Sequence, residues 1–241
     1  MGTTVNLSKQ TVNLSKSQVI NLSKSSEGLR EVMIGLGWSD AKSKVTTRTV
    51  TETVQPGFLA KLFGAQPKVV TREERVYNNS SMDYDLDAWV GFMHNGKIVS
   101  FDDVCYYGKK DMYANNGRFI HHCGDDLTGG GDVNADNEQI FIELDKLPDK
   151  YNGAVIGVTI YQGKQRNQRL GDIENTFVRV VDTKDKFEIC RYADAIADEY
   201  SGCITFIVGK IYKDKGEWHF KAEGFGTKDG SISEAVANYK G

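Results

Sequence analysis

The sequence predicts an all-β protein, a β-sandwich of two antiparallel sheets with a few short helices. From residue 85 onwards, short runs of alternating or β-branched apolar residues recur without long helices between them. Clusters of Gly, Asn and Asp separate these runs, as turns separate strands. The 241-residue chain contains 25 glycines and only 3 prolines, a balance typical of short strands and tight turns.

The N-terminal part of the chain contains a short motif in three copies. They are Val5-Asn-Leu-Ser-Lys9, Val12-Asn-Leu-Ser-Lys16 and Ile20-Asn-Leu-Ser-Lys24. Apolar and polar residues alternate in each copy, which is the period of a half-buried strand. The copies are too short to form a solenoid, so we expect them to add edge strands or to offer alternative strand registers.

Residues 41–81 differ in composition from the rest of the chain. They are rich in Thr, Lys and Arg and contain Pro56 and Pro67, two of the 3 prolines. We expect a flexible basic segment inserted into a single domain that spans residues 1–241. Within it, Phe58-Leu-Ala-Lys-Leu-Phe63 favours a short basic amphipathic helix, which would either touch a membrane or a partner or pack locally.

The remaining strands are predicted between residues 86 and 222. His94-Asn-Gly-Lys97 and Lys213-Asp-Lys-Gly216 are typical hairpin turns. A helical turn is expected at 193–200, and Ser231-Ile-Ser-Glu234 has the capping-box pattern that opens a short helix through Tyr239. The predicted strands are Leu86–Phe92, Lys97–Phe101, Gln139–Leu144, Ala154–Tyr161, Phe177–Val181, Phe187–Tyr192, Ile204–Tyr212 and Glu217–Ala222.

The sequence favours a cytoplasmic location. No apolar run approaches the length needed to cross a bilayer, and residues 1–6 lack the basic and apolar regions of a signal peptide. In a reducing compartment, cysteines without C-x-x-C spacing are expected to be small core residues. His121 and His122 beside a cysteine do not favour zinc, because adjacent side chains on an extended chain point opposite ways. The cysteines are Cys105, Cys123, Cys190 and Cys203.

Negative charge is concentrated in one part of the chain. The formal net charge is −3, but residues 83–145 contain 13 Asp and Glu against 4 Lys and Arg, a local balance of −9. Like charges at this density repel one another. We therefore expect either a bound cation or a solvated acidic face in this region.

Two acidic clusters are the candidates for a metal site. Asp83-Tyr-Asp85-Leu-Asp87 would direct three carboxylates to one face of a strand. The second cluster, Gly124–Glu138, combines glycines that permit left-handed turns with Asp, Asn and Glu oxygens. Hard oxygen ligands in a tolerant geometry suit Ca²⁺, and Mg²⁺ ranks second because it requires a stricter octahedron.

The second cluster has the spacing of an EF-hand only in part. Asp132, Asn134 and Asp136 match the first three ligand positions, and Glu143 falls at the twelfth. However, Asn137 stands where the sharp turn needs glycine, and the following apolar residues alternate as in a strand. We therefore predict a sandwich loop with convergent ligand spacing.

The chain is expected not to be an enzyme. Acid–base catalysis by carboxylates needs a pair in opposed environments across a cleft, which a Gly-Asp-rich loop does not indicate. No nucleophile elbow, Walker A or dinucleotide-binding pattern is present. A metal-dependent enzyme acting on phosphate or tellurium oxyanions remains an alternative and would require an open coordination position.

Several segments in order resemble the TerD family of tellurium-resistance and stress-response proteins. The resemblance covers most of the chain outside residues 41–81. The segments are the Val-Asn-Leu-Ser-Lys opening, Ile34-Gly-Leu-Gly-Trp38, Asp85-Leu-Asp87, Gly124-Asp-Asp-Leu-Thr-Gly129, Glu138-Gln-Ile140, Ile160-Tyr161, Arg166-Asn-Gln168, Asn175-Thr-Phe-Val-Arg-Val180 and Gly216-Glu-Trp-His-Phe220.

The resemblance implies a calcium-binding β-sandwich that acts as a binding or scaffold module in resistance to tellurite, phage and other stresses. It implies protein partners of the tellurium-resistance system, at the inner membrane face or in the cytoplasm. A homo-oligomer is conceivable, and no nucleic-acid partner is expected. With Asp132 from the same glycine-rich cluster, the predicted metal ligands are Asp85, Asp87, Asp125, Asp126, Asp132, Asp136 and Glu138.

The chain departs from the family pattern at three places. The family's Gly-Asp-Gly-Asp-Asp-Glu is replaced by the longer Gly131-Asp-Val-Asn-Ala-Asp-Asn-Glu138, which makes a second calcium site less expected. The triplicated opening and the basic insertion also exceed the family's usual form. The alternative function is therefore an assembly or membrane-complex docking protein that uses these two features, since unpaired edge strands favour association.

Overall fold

The structure, a computed structural model, describes residues 10–39, 44–54, 64, 66–78, 84–124, 135–193 and 200–239. The chain divides into two compact units, residues 1–41 with 83–241 and residues 42–82. In the described ranges no helix has both the length and the apolar character that a membrane span needs.

The described part of the chain consists mainly of strands. The short helices are α1 (Leu22–Ser25), α2 (Gly163–Arg166) and α3 (Ile232–Asn238), with 3₁₀ turns at Phe101–Asp103 and Leu170–Asp172. The strands are β1 (Val12–Asn13), β2 (Val19–Asn21), β3 (Glu31–Ser39), β4 (Lys44–Val54), β5 (Lys68–Asn78), β6 (Leu86–Met93), β7 (Val104–Cys105), β8 (Asp111–Ala114), β9 (Gly117–His122), β10 (Glu138–Glu143), β11 (Gly153–Ile160), β12 (Glu174–Asp182), β13 (Phe187–Ala193), β14 (Thr205–Asp214) and β15 (Glu217–Thr227).

The larger unit is a sandwich of two sheets. The first sheet has the strand order β1-β13-β12-β3-β10-β9-β8, and the second has the order β2-β15-β14-β11-β6-β7. Neighbouring strands in both sheets are antiparallel, except that β1 pairs with β13 in parallel. The predicted all-β sandwich is confirmed, with one parallel edge pair that was not predicted.

The main core lies between the two sheets. In β10 the alternation of the strand directs Ile140 and Ile142 inwards, where they meet residues such as Leu86 and Phe92 from the second sheet. Leu14 and Leu22, from the second and third copies of the N-terminal motif, are buried in the same core. These two copies are edge strands of different sheets, as expected, and the first copy lies outside the described residues.

A second apolar layer covers the outer face of the second sheet. Ile232, Ala235 and Val236 of α3 pack against Trp89 and neighbouring side chains of that sheet. The predicted capping box begins this helix, because the Ser231 hydroxyl accepts a hydrogen bond from the backbone N–H of Glu234 at 3.2 Å. Strand β6 is therefore buried on both faces, which explains its nearly continuous apolar sequence.

The smaller unit contains an antiparallel hairpin, β4 with β5, in which Lys44 pairs with Asn78 and Val54 with Lys68. No strand was predicted in this segment. Its strands are rich in Thr and Val, which favour extended backbone. The helix predicted at 58–63 lies outside the described residues, and the flexibility of the segment stays a prediction.

Other local predictions differ from the structure. The strand predicted at 97–101 is wrong: Lys97 only closes the turn opposite His94, and the chain then enters the 3₁₀ turn capped by the Ser100 hydroxyl. The helical turn predicted at 193–200 lies mostly outside the described residues. Strands β3, β7, β8 and β9 were not predicted.

The predicted role of the cysteines as core residues is correct for two of the four. Cys105 and Cys190 are buried, and burial raises the pKa of each thiol to about 12. Cys203 is half-buried and Cys123 is exposed. Burial also raises the pKa of these two thiols.

Candidate metal centre

Three of the seven predicted calcium ligands, Asp125, Asp126 and Asp132, lie outside the described residues. The other four are described, and strand geometry places them on different faces of the sandwich. Among the residues that the structure describes, no group of at least three His, Cys, Asp or Glu side chains is placed so that it could hold a metal ion. A site that includes Asp125, Asp126 or Asp132 therefore extends beyond the described residues.

Asp85 and Asp87 stand at the N-terminal end of β6. Leu86 and Ala88 face the core between the sheets, so the alternation of the strand directs both aspartates to the outer face of the second sheet. Asp85 is 5% exposed and Asp87 3%. Two buried carboxylates two residues apart on one face repel each other, which a cation would relieve.

Glu138, the first residue of β10, joins the two sheets. Its carboxylate Oε2 accepts a hydrogen bond from the backbone N–H of Ala88 at 2.7 Å. Strand β7 pairs only with Val90 and Gly91, so the peptide group of Ala88 lies beyond the end of that strand. A buried N–H needs an acceptor, and the opposite sheet supplies it.

His122 forms a hydrogen bond with the backbone carbonyl of Ala88, the residue whose N–H bonds to Glu138. Its Nε2 lies 3.3 Å from the oxygen of Ala88 and 3.7 Å from Glu138 Oε2, and its side chain is fully buried. The backbone N–H of Gly124 points at Nδ1, at 3.2 Å. Nδ1 therefore accepts, and the proton on Nε2 is donated to the Ala88 carbonyl.

His121 points the other way, as expected for a neighbour on an extended strand. Its Nδ1 lies 2.8 Å from Asp111 Oδ1, to which Arg118 also donates at 3.1 Å. These contacts lower the pKa of Asp111, although burial opposes them as the largest single influence. The two histidines are thus held by different groups.

Asp136 forms an ion pair on the outer face of the first sheet. Its Oδ1 accepts from Arg179 Nε at 2.7 Å and its Oδ2 from Arg179 Nη2 at 2.8 Å, and Gln139 donates to Oδ2 at 2.9 Å. The carboxylate lies over Gly35, where a Cβ atom would come within 2.3 Å of Oδ1. Glycine at this position of β3 leaves the space that the ion pair occupies.

Arg179 links Asp136 to a further carboxylate. Its Nη1 donates to Glu188 Oε2 at 3.2 Å, and Arg191 donates to both oxygens of Glu188 at 2.8 and 2.9 Å. The hydrogen bonds that Arg179 donates to Asp136 raise the pKa of its guanidinium. For Glu188, burial raises the pKa, but the bonds from Arg191 and Arg179 outweigh it and the pKa is lowered.

A cavity of about 300 Å³ opens beside Asp87 on the outer face of the second sheet. Aromatic side chains line it together with the first residues of α3. The ring centroids of Tyr106 and Tyr107 are 5.2 Å apart, and those of Tyr107 and Tyr161 are 6.0 Å apart, with nearly perpendicular planes. The Arg166 guanidinium lies 5.5 Å from the Tyr161 ring centroid. Aromatic faces beside a carboxylate suit a small ligand with an apolar or cationic group.

A cluster around Asp103 was not predicted from the sequence. Tyr151 donates to Oδ1 at 2.6 Å, His94 Nε2 lies 3.0 Å from Oδ2, and Lys150 Nζ is 3.7 Å from Oδ1. Burial raises the pKa of Asp103, but these partners outweigh it and hold the pKa below its usual value. The predicted hairpin at His94 was the only local signal, since Tyr151 is distant in sequence.

Comparison with known proteins gives consistent results. The TerD domain model matches residues 10–239. The chain is similar to Stress response protein SCP2 of Bacillus subtilis (strain 168), with 33% identity over 228 residues that cover 95% of this chain and 98% of that protein. It is 28% identical over 229 residues to Tellurium resistance protein TerD of Serratia marcescens, covering 95% of this chain and 96% of that protein.

Among solved structures, the fold is similar to that of a homologue of telluride resistance protein TerD from Streptomyces coelicolor A3(2). The TM-score is 0.56 at 18% sequence identity, and the match covers 86% of this chain and 96% of that chain. At this level of identity the similarity shows a shared fold alone.

Proposed function

The chain belongs to the TerD domain family, and from this membership we propose that it acts as a calcium-binding, non-enzymatic module in a cytoplasmic stress response. Its relatives include proteins named for stress response and for tellurium resistance. The calcium would be held at the end of the sandwich where β6 and β10 begin. The module would act by binding a protein partner in its calcium-loaded form.

The observation that carries this proposal is the burial of Asp85 and Asp87 on the outer face of the second sheet, at the end of β6 where Ala88 contacts the start of β10. The contact between Glu138 and Ala88 brings β10 beside β6 at this end. The Gly-Asp-rich segment 125–134 enters after Gly124 and leaves at Ala135, immediately before β10. In this proposal the carboxylates of this segment reach the two buried aspartates around the end of the sandwich.

The donor chemistry fits calcium. The residues that would hold the ion are Asp85, just before β6, and Asp87 within it, together with Asp125, Asp126 and Asp132, all hard oxygen donors. Calcium accepts six to eight such oxygens in a flexible geometry. Bound there, it would neutralise the local negative charge and order the segment that supplies the ligands.

Asp136 and Glu138 have additional roles within the described structure. The carboxylate of Asp136 is held by Arg179, and one oxygen of Glu138 is held by Ala88. Both residues follow the glycine-rich segment directly. In this proposal they fix the exit of the segment to the two sheets, and their role as metal ligands stays a prediction.

Thermal unfolding tests the calcium proposal. The protein is unfolded in EDTA and then with Ca²⁺ or Mg²⁺ at matched ionic strength. Ligand at a hundred times its dissociation constant adds about 2.7 kcal/mol, a rise of roughly 5–10 °C for a chain of this size. The rise should be selective for calcium and should be lost in Asp87→Asn but kept in Asp145→Asn, an exposed carboxylate outside the proposed site.

Absence of any calcium-dependent rise in the wild-type protein would contradict the proposal. The enzymatic alternative makes a different prediction. It requires turnover of a phosphate or tellurium oxyanion with Mg²⁺ or Mn²⁺, abolished by the same Asp87→Asn change. A calcium-selective stabilisation without turnover supports the binding module.

Docking to an anionic membrane surface is the second candidate function, and the separate unit at 42–82 favours it. Its hairpin exposes Lys68 and Arg72, with the exposed side chain of Val69 between them in sequence. Anionic surfaces attract such basic groups by about 1 kcal/mol each. Flotation with anionic vesicles should recover the wild-type protein and lose Lys68→Glu/Arg72→Glu, with neutral vesicles as the control. Equal recovery of both proteins would count against membrane docking.

A further inference from the structure

The six-residue segment Thr11–Lys16, which contains β1, has the same sequence as an earlier segment of the chain. Thr4-Val-Asn-Leu-Ser-Lys9 is identical to Thr11-Val-Asn-Leu-Ser-Lys16 and precedes it by seven residues. Thr4–Lys9 lies outside the described residues, whereas Thr11–Lys16 is placed on the edge of the first sheet. We call the surface that receives Thr11–Lys16 the β1 acceptor; it consists of Glu188–Arg191 of β13, Tyr200 and the core around Leu14.

Thr11–Lys16 is held by the β1 acceptor along its whole length. The Thr11 hydroxyl donates to the backbone oxygen of Glu188 at 2.9 Å, and the backbone N–H of Leu14 donates to that of Arg191 at 2.8 Å. The Leu14 side chain is 7% exposed in the core between the sheets.

The last residue of the segment contacts a different part of the acceptor. Lys16 Nζ donates to the Tyr200 hydroxyl at 3.0 Å and lies 5.4 Å from the centroid of its ring. The segment is therefore fixed to the acceptor at both of its ends and through the buried leucine between them.

The side chains that make these contacts have identical counterparts seven residues earlier. Thr4 corresponds to Thr11, Leu7 to Leu14 and Lys9 to Lys16. The other contacts use the backbone, which is the same for any residue except proline. A shift of the chain by seven residues therefore presents the same chemistry to the β1 acceptor.

The third copy of the motif is not interchangeable in this way. Asn21 caps α1 by accepting from the backbone N–H of Lys24 at 2.9 Å, and it donates to Glu217 at 2.7 Å. The Ser23 hydroxyl accepts from the backbone N–H of Trp218 at 2.9 Å. These contacts belong to the second sheet, so the third copy stays fixed while the first two compete for one acceptor.

We propose that Thr4–Lys9 is a spare edge strand that takes the place of Thr11–Lys16 on the β1 acceptor of the same chain. In the shifted register, Leu7 fills the position of Leu14 and residues 10–18 form the connection to β2. The chain thus has two registers, one that buries Leu14 and one that buries Leu7 at the same position. The first sheet keeps its edge covered in both.

The described register is the major one for two physical reasons. The connection between the acceptor-bound segment and β2 has two residues, Ser17 and Gln18, and would lengthen to nine in the shifted register. This lengthening disfavours the shift by about tenfold. In addition, Gln18 Oε1 accepts from the backbone N–H of Ser15 at 2.7 Å, and Thr11 would stand at the equivalent position after the shift.

Alanine substitutions of the two leucines test the proposal. Leu7→Ala should leave the melting temperature within about 1 °C of wild type. Leu14→Ala should lower it by only about 3–6 °C, because the shift supplies Leu7 and caps the loss at about tenfold. Leu7→Ala/Leu14→Ala should lose about 6–15 °C, the range expected when a buried leucine leaves a cavity.

Leu22 provides the matched control, since it is buried in the same core and belongs to the copy that is fixed. Leu22→Ala should show the full loss, and adding Leu7→Ala should change it by no more than about 1 °C. If Leu14→Ala alone loses as much as the double variant, no spare strand exists and the proposal is overturned.

Hydrogen exchange read by mass spectrometry gives a second test that does not depend on the double variant folding. In Leu14→Ala, amide protection should move from residues 11–16 to residues 4–9. Loss at 11–16 without gain at 4–9 overturns the proposal. A gain at 4–9 that appears only with a concentration-dependent dimer also overturns it, because the strand then comes from another chain.

Discussion

The Glu138 carboxylate accepts a hydrogen bond from the backbone N–H of Ala88 at 2.7 Å, and so joins the first strand residue after the acidic segment to the opposite sheet. The bond is buried, and His122 satisfies the carbonyl of the same residue. Glu138 of β10 and His122 of β9 therefore supply the hydrogen-bond partners that the backbone of Ala88 lacks at the free edge of β6. This edge lies next to Asp87, one of the predicted metal ligands.

Replacing Glu138 should destabilise the protein through this edge. In Glu138→Ala, the N–H of Ala88 is left buried without an acceptor, which costs about 1–3 kcal/mol. Glu138→Gln should lose less, since its amide oxygen can still accept the bond. Urea denaturation in EDTA measures the free energy of unfolding without any contribution from bound calcium.

Glu143 provides the control on the same strand, where it is half-buried and paired with Lys146. Glu143→Ala should change the free energy of unfolding by no more than about 0.5 kcal/mol. Equal effects at Glu138 and Glu143 would mean that the Ala88 bond contributes nothing to stability.

Gly157→Ala should destabilise the second sheet. Trp89 is the cross-strand partner of Gly157, and a Cβ atom there would lie 2.1 Å from Cζ2 of the indole. The ring is held by a hydrogen bond from its Nε1 to the Thr159 hydroxyl at 3.1 Å, so it cannot move freely. Overpacking of this kind costs about 1–3 kcal/mol, measurable by urea denaturation followed through tryptophan fluorescence.

Gly202→Ala is the matched control for this substitution. A Cβ atom at Gly202 would meet no other atom within 4 Å. The free energy of unfolding should stay within about 0.5 kcal/mol of wild type. A loss at Gly202 as large as that at Gly157 would refute the steric explanation.

The elements with a clear apolar period were predictable from the sequence. Strand β10 buries Ile at alternate positions, whereas β6 and β11 are nearly continuous apolar runs buried on both faces, and both signals are local. Strand β3 was missed because Gly35 and Gly37 weaken its strand pattern. These glycines are needed for tertiary packing, because the side chains of Asp136 and Phe177 occupy the space where their Cβ atoms would lie.

The polar elements and the ion pairs were harder to predict. Strand β4 is rich in Thr and β5 is rich in charged residues, so neither sequence has a clear apolar period. The acidic positions of the candidate metal centre were visible in the sequence. That Arg179 pairs with Asp136 depends on β3 lying between β10 and β12, which is a property of the sheet order. Local spacing contains no such information.

The stability of the protein should depend on pH through Asp103. Its partners hold the folded pKa of Asp103 below its ordinary value in the unfolded chain, so its contribution is present above that ordinary pKa and is lost as the pH falls through the folded pKa. Asp103→Asn should cost about 1–3 kcal/mol at pH 7 through the weakened bonds to Tyr151 and His94. The difference from wild type should shrink below pH 4, measured by urea denaturation across the pH range.

Asp149→Asn serves as the control, since Asp149 is exposed in the loop just before Tyr151. Its difference from wild type should stay near zero at every pH. A difference for Asp103→Asn that is the same at pH 3 as at pH 7 would exclude the charge of Asp103 as the cause.

Asp136 and Asp87 should respond differently to calcium, although both were predicted as ligands. Asp136→Asn breaks the paired hydrogen bonds to Arg179 and should lower the free energy of unfolding by about 2 kcal/mol, a value reduced for the partial exposure of the arginine. This loss should be equal in EDTA and in calcium. Asp87→Asn should instead abolish the stabilisation by calcium.

A double-mutant cycle separates the two roles further. Arg179→Met should lose at least as much as Asp136→Asn, since it also removes the bond to Glu188. The double variant should lose no more than Arg179→Met alone, because the bonds to Asp136 are then already absent. Each variant should keep the calcium-induced rise in melting temperature. If Asp136→Asn loses that rise while Arg179→Met keeps it, Asp136 is a metal ligand. The ion pair with Arg179 would then be the arrangement of Asp136 in the absence of calcium.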